Sequence, residues 1–86
     1  MSDSRNKGAL LLEAWRREQG LTQFRAAVAL DMDPSPYNKF ELGKKRPGRT
    51  TALRFLETAG IPVESWDQKP ARENEQRLRR ARATAA

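Results

Sequence analysis

The sequence predicts an all-α fold, on three observations. Apolar residues recur three and four positions apart in successive short segments, the spacing of one helix face. Gly20, Gly43 and Gly60 each follow such a segment, where a left-handed residue ends a helix. Thr22 and the pair Asp33-Pro34 stand where new segments begin, and these residue types favour helix starts. At 86 residues the chain has room for one small helical core and little more.

Residues 1–7 read as a flexible, polar N-terminus. The first helix is expected from Gly8 to Gln19, with Leu12, Trp15, Arg16 and Gln19 on one face. Thr22 is the N-cap candidate for a second helix running to about Leu30. Ala26, Ala27 and Leu30 form one face of it, and Phe24 and Val28 another. Asp31 and Met32 make the turn, and Asp tolerates a left-handed backbone better than most residues with a side chain.

The third helix begins in "DPSP". The Asp33 carboxylate is placed to accept from free backbone N–H groups. Pro34 falls at the first helical position and Pro36 two further on, where no intrahelical N–H bond is lost. The prolines therefore fix and stiffen the start of a helix that runs to Leu42. Tyr37, Phe40 and Glu41 share one face; Ser35, Asn38, Lys39 and Leu42 lie on or near the other. After Gly43 comes the basic loop "GKKRPGR", then a fourth helix from Arg49 or Thr50 to Ala59. Ala52, Leu53, Leu56 and Ala59 are expected to form one apolar face, with Phe55 close by. "IPVESW" reads as a short fifth helix, with Trp66 as a candidate plug for the core. Residues 8–69 make up the folded domain. Residues 70–86 hold five arginines but a single large apolar residue, Leu78, and read as a flexible or marginally helical basic tail.

Charged residues make up 33% of the chain and the net charge is +6, which suits an acidic partner such as nucleic acid and equally a solvated basic surface with no partner. Cysteine and histidine are both absent. That excludes disulfides, thiolate zinc sites, imidazole ligation and the commonest general base. No nucleophile, metal set or phosphate-cradling glycine loop points to catalysis, so no enzyme activity and no cofactor are expected. No apolar run has the length of a membrane span, and the start lacks the pattern of a signal peptide. A cytoplasmic, nucleoid-associated protein is expected.

Fifteen residues at fixed spacing carry a family likeness: Leu12, Trp15, Arg16, Gly20, Leu21, Thr22, Gln23, Ala27, Leu30, Phe40, Glu41, Gly43, Lys44, Arg46 and Pro47. Together with "LRFLETAGIPVESW" they make residues 8–67 resemble the XRE family of helix-turn-helix proteins, to which small phage repressors and Cro belong. The resemblance implies a five-helix, lambda-repressor-like domain. It also implies a small regulator, most simply a repressor of phage or mobile-element type, that reads double-stranded DNA with helix 34–42 in the major groove.

By position, Ser35, Asn38 and Lys39 would read bases; their side chains suit adenine, guanine and adaptable contacts. Thr22, Gln23, Lys44, Lys45, Arg46 and Arg49 would hold phosphates, setting affinity and register but not sequence. Arg16 and Glu41 would form a structural ion pair. Several positions depart from the family pattern. Pro34 and Pro36 replace polar or small residues, Asp31 replaces the turn glycine, and Ala26 replaces a leucine whose space Phe55 and Leu56 are expected to fill. Phe24 and Val28 stand where the family carries charges. With Trp66 they are candidate protein contacts, for a homodimer partner on DNA or for another protein. The alternative function is an antitoxin or antirepressor that uses the same fold to bind a protein.

Overall fold

Residues 4–84 are described by a computed structural model. Among them every regular element is helical. Helix α1 spans Lys7–Glu18, α2 Gln23–Ala29, α3 Pro34–Glu41 and α4 Arg49–Ala59; a 3₁₀ turn covers Val63–Asp67, and α5 spans Arg72–Thr84.

Helix α1 is the axis of the domain. Asn6 caps it by accepting from Ala9 N, and the Lys7 N–H, which has no partner within the helix, donates to Gln68 O at 2.8 Å. Every residue from Gly8 to Trp15 is buried, because the helix is covered on two sides. Ala9, Leu11, Leu12 and Trp15 face the main core with Ala26, Ala27, Leu30, Tyr37, Phe40, Ala52, Phe55, Ile61 and Trp66. Leu10 and Ala14 face the other way, onto Leu78 and Ala81 of α5. Gln19, expected as the last helical residue, is the exposed C-cap.

The main core is centred on aromatic rings. Phe40 and Phe55 meet edge to face at 5.4 Å, and Trp66 leans on Phe55 at 4.9 Å. Trp66 lies so close to α1 that a Cβ on Gly8 would run into its indole ring. Glycine is required there by space rather than by backbone conformation. Phe55 is fully buried in the same core as Ala26, but Leu56 does not share that role. Leu53 and Leu56 lie at the surface, 39% and 41% exposed, and the buried stripe of α4 is Ala52 and Phe55.

Two elements differ from the sequence reading. "IPVESW" forms a 3₁₀ turn, because Pro62 O accepts from Ser65 N and Ser65 O from Gln68 N, each three residues on. The tail, expected to be flexible or marginally helical, forms the docked helix α5. Leu78 and Ala81, three apart, supply a small apolar face, and Arg77 and Arg82 clasp Glu18 and Glu13 of α1 on either side. These ion-pair partners lie 59 and 69 positions away in the chain, so no local pattern announces them.

The N-terminal segment is also ordered from Ser4, with Arg5 and Asn6 both engaged on the fold. The remainder of the expected flexible terminus, residues 1–3, lies outside the described residues.

Candidate nucleic-acid interface

Helices α2 and α3 form a helix-turn-helix closed by backbone and side-chain bonds together. Asp31 holds the left-handed turn position at φ 55°, and Met32 N donates to Ala27 O. Arg54 reaches across from α4, donating from Nη1 to Asp31 O at 2.9 Å. A cation thus fixes a turn whose residue is not glycine.

Helix α3 starts where the prolines place it, with Pro34 at its first position. Asp33 has the extended N-cap backbone, but its side chain makes no capping hydrogen bond, contrary to expectation. Pro36 removes one of the two N–H groups that an N-cap side chain usually takes, so less is left there to be capped. Gly43 ends the helix at φ 76°. Tyr37, Phe40 and Glu41 point into the protein; Ser35 and Lys39 are exposed, Asn38 is half-buried, and Leu42 is 45% exposed on the same outward side.

A chain of polar bonds runs from α1 to that outward face. Arg16 donates to both carboxylate oxygens of Glu41, from Nε to Oε2 at 2.9 Å and from Nη2 to Oε1 at 2.9 Å. Gln23 Nε2 donates to Glu41 Oε1 at 3.2 Å. Asn38 Nδ2 in turn donates to Gln23 Oε1 at 3.0 Å. The polarity is forced from the inside outward. An ionised Glu41 only accepts, so Gln23 turns its amide nitrogen inward and its oxygen towards Asn38, which must then offer nitrogen. Asn38 keeps Oδ1 and its second N–H for a ligand. Burial of Arg16 opposes its charge, but the hydrogen bonds it donates to the Glu41 carboxylate, with that group's charge, outweigh burial and push its guanidinium pKa up. Burial, then the Glu41 carboxylate, push the enclosed Tyr37 hydroxyl well above the usual phenol range.

The residues expected to hold phosphate have different surroundings. Thr22 caps α2, its Oγ1 accepting from Arg25 N at 3.1 Å, and its hydroxyl hydrogen is not needed for that bond. Gln23 is committed inside the protein, as described, which a positional assignment does not reveal. Lys44 is exposed. Lys45 lies over the Phe40 ring at 5.7 Å from its centroid. Arg46 pairs with Asp67 at 2.9 Å, both side chains largely exposed. Arg49 is exposed in the first turn of α4, whose N-cap Gly48 provides no capping side chain.

Of the candidate protein contacts, Phe24 and Val28 are 63% and 62% exposed on the outer side of α2. Trp66 is 2% exposed and belongs to the core, so it is not available to a partner. Sequence reasoning did not single out Arg5, Arg54 or Asp67, each of which bonds across a long stretch of chain. Among the described residues there is no cluster of carboxylates placed to hold a metal ion, and no helix long and apolar enough to cross a membrane.

Comparison with known families agrees with this geometry. A family model described as a helix-turn-helix domain matches residues 9–67, a span that runs from α1 to the 3₁₀ turn and ends before α5. No curated protein and no solved structure matches the chain. The match covers well over half of the chain, and the turn, the outward face of α3 and the basic loop all fall within it; the chain belongs to the helix-turn-helix domain family.

Proposed function

We propose that the protein is a small, sequence-specific transcriptional regulator, a repressor of the phage or mobile-element kind, that reads the major groove with α3. The observation that carries this reading is the bond chain Arg16–Glu41–Gln23–Asn38. It delivers an oriented amide to the outward face of the second helix of the motif, between exposed Ser35 and Lys39. An amide held in this way suits bidentate pairing with adenine, and Lys39 suits guanine. Thr22, Lys44, Arg46 and Arg49 supply phosphate contacts, and Gln23 serves by orienting Asn38. The protein acts by binding, without a cofactor, in the cytoplasm.

On DNA it acts as a homodimer on half-sites about 34 Å apart. The test is selection of bound sites from random duplexes by the purified protein, with excess competitor at near-physiological salt. An inverted repeat supports the reading; absence of any enriched motif removes it. A second reading, an antitoxin or antirepressor that binds a protein, draws support from exposed Phe24 and Val28. If Phe24→Glu leaves folding, assembly and activity unchanged, that patch has no part in the function.

A further inference from the structure

Glu13 gathers three arginines although it is only 4% exposed. Arg17 Nε donates to Oε2 at 2.7 Å from the same helix. Arg82 of α5 grips both oxygens, from Nε to Oε2 at 2.8 Å and from Nη2 to Oε1 at 3.0 Å. Arg5 Nη1 pairs with Oε1 at 2.9 Å. The same Arg5 nitrogen also donates to Glu41 O at 2.9 Å. Glu41 is the last residue of α3, and its carbonyl is one that the helix itself leaves unpaired. Arg5 therefore caps α3 with a positive charge at the negative end of the helix. The fit is close: a Cβ on Gly43 would come 3.1 Å from Arg5 Cγ.

We propose that Arg5 is a positioning residue for α3, coupling the docking of α5 to the DNA-reading helix through the shared carboxylate of Glu13. With α5 docked, Arg82 satisfies both Glu13 oxygens, and Arg5 divides its Nη1 hydrogens between Glu13 and Glu41 O. With α5 away, Glu13 loses its two-toothed partner. Arg5 then closes onto Glu13 and withdraws from the end of α3. That end also bears the side chain to which Gln23, and through it Asn38, is tied. The family match ends at residue 67, so α5 is an addition to the matched domain that bears on its reading helix. The part of this inference that concerns DNA rests on the proposed function.

The test is a double-mutant cycle in the full chain with Arg82→Gln, Arg5→Gln and both together. Arg79→Gln, at an exposed position of α5, serves as the control for lost charge. Amide hydrogen exchange across α3 is read without DNA, and affinity for the selected duplex is read well below each melting temperature. Each single variant is expected to speed exchange in the last turn of α3 and to weaken DNA binding roughly five- to tenfold beyond the control. The double variant is expected to be no worse than the weaker single, and Arg82→Lys to recover only part of the loss because it lacks the fork. Unchanged α3 exchange in Arg82→Gln, or losses that add in the double variant, overturns the coupling. If the unmodified protein selects no duplex, the DNA reading fails, and the exchange data alone decide the coupling.

Discussion

Asn38 Nδ2 donates to Gln23 Oε1 at 3.0 Å, so the outward amide of α3 is oriented by the first residue of α2. Gln23→Ala removes that restraint while leaving Asn38 in place. Affinity for the selected site should fall about tenfold, towards the lower end of the roughly 1–3 kcal/mol carried by one bidentate base pairing. Binding to unrelated duplex should change little. Competition titrations with both duplexes measure the difference; equal losses on the two would mean that Gln23 acts through phosphate alone.

Arg16 and Arg17 are neighbours of the same charge with unlike duties. Arg16 meets Glu41, whose side chain is 5% exposed, and Arg16→Met leaves that carboxylate buried without its cation. Stranding a buried charge costs roughly 3–5 kcal/mol. Arg17→Met leaves Glu13 with Arg5 and Arg82, and should cost about 1 kcal/mol or less. Urea unfolding of the two variants gives the comparison, and equal midpoints would refute it.

Acid should loosen the protein through Glu13. Burial raises its pKa, but the hydrogen bonds from Arg82, Arg17 and Arg5 outweigh burial and hold it at about 2, against 4.5 for a free glutamate. A depressed folded-state pKa contributes stability that is complete above the unfolded value. That stability disappears as pH falls from about 4.5 towards about 2. At 1.36 kcal/mol per unit the contribution is about 3 kcal/mol. Glu18, paired with Arg77 at the surface, adds a smaller share in the same direction. Glu13→Gln should lower stability at neutral pH and flatten the pH dependence in that window. Urea midpoints between pH 6 and pH 2 at constant ionic strength decide it; parallel profiles for the two proteins would remove Glu13 as the cause.

What the sequence makes legible follows from the range of each interaction. Helix starts and stops are local, so the positions of Thr22, Pro34, Gly43 and Gly60 could be read from neighbouring residues. The inward and outward faces of α3 follow from period alone. The docking of α5 was not legible, and its helix only as a marginal one, because its face is only Leu78 and Ala81 and its holding charges lie on α1. Leu53 and Leu56 misled for the opposite reason: an apolar side chain at helical spacing is no guarantee of a partner. At the candidate interface, residue types suggested which side chains could touch DNA. They could not show that Gln23 is turned inward, because that depends on Arg16 and Glu41 meeting across 25 positions of chain.

The same limit applies to Arg46, which a count of loop cations treats as free. It pairs with Asp67 Oδ1 at 2.9 Å, with 66% and 73% of the two side chains exposed. A pair so exposed adds little stability, so Asp67→Asn should shift unfolding by less than about 0.5 kcal/mol. Its effect on DNA should be larger, because the substitution frees Arg46 and removes a negative charge beside the phosphates. Affinity at low salt should rise roughly two- to fivefold, while Arg46→Gln should reduce the slope of log K against log salt by about 1. Both follow from salt titrations on one duplex. If neither variant changes affinity or slope, Arg46 does not reach a phosphate, and the Arg46–Asp67 pair serves only to tie the basic loop to the end of the 3₁₀ turn.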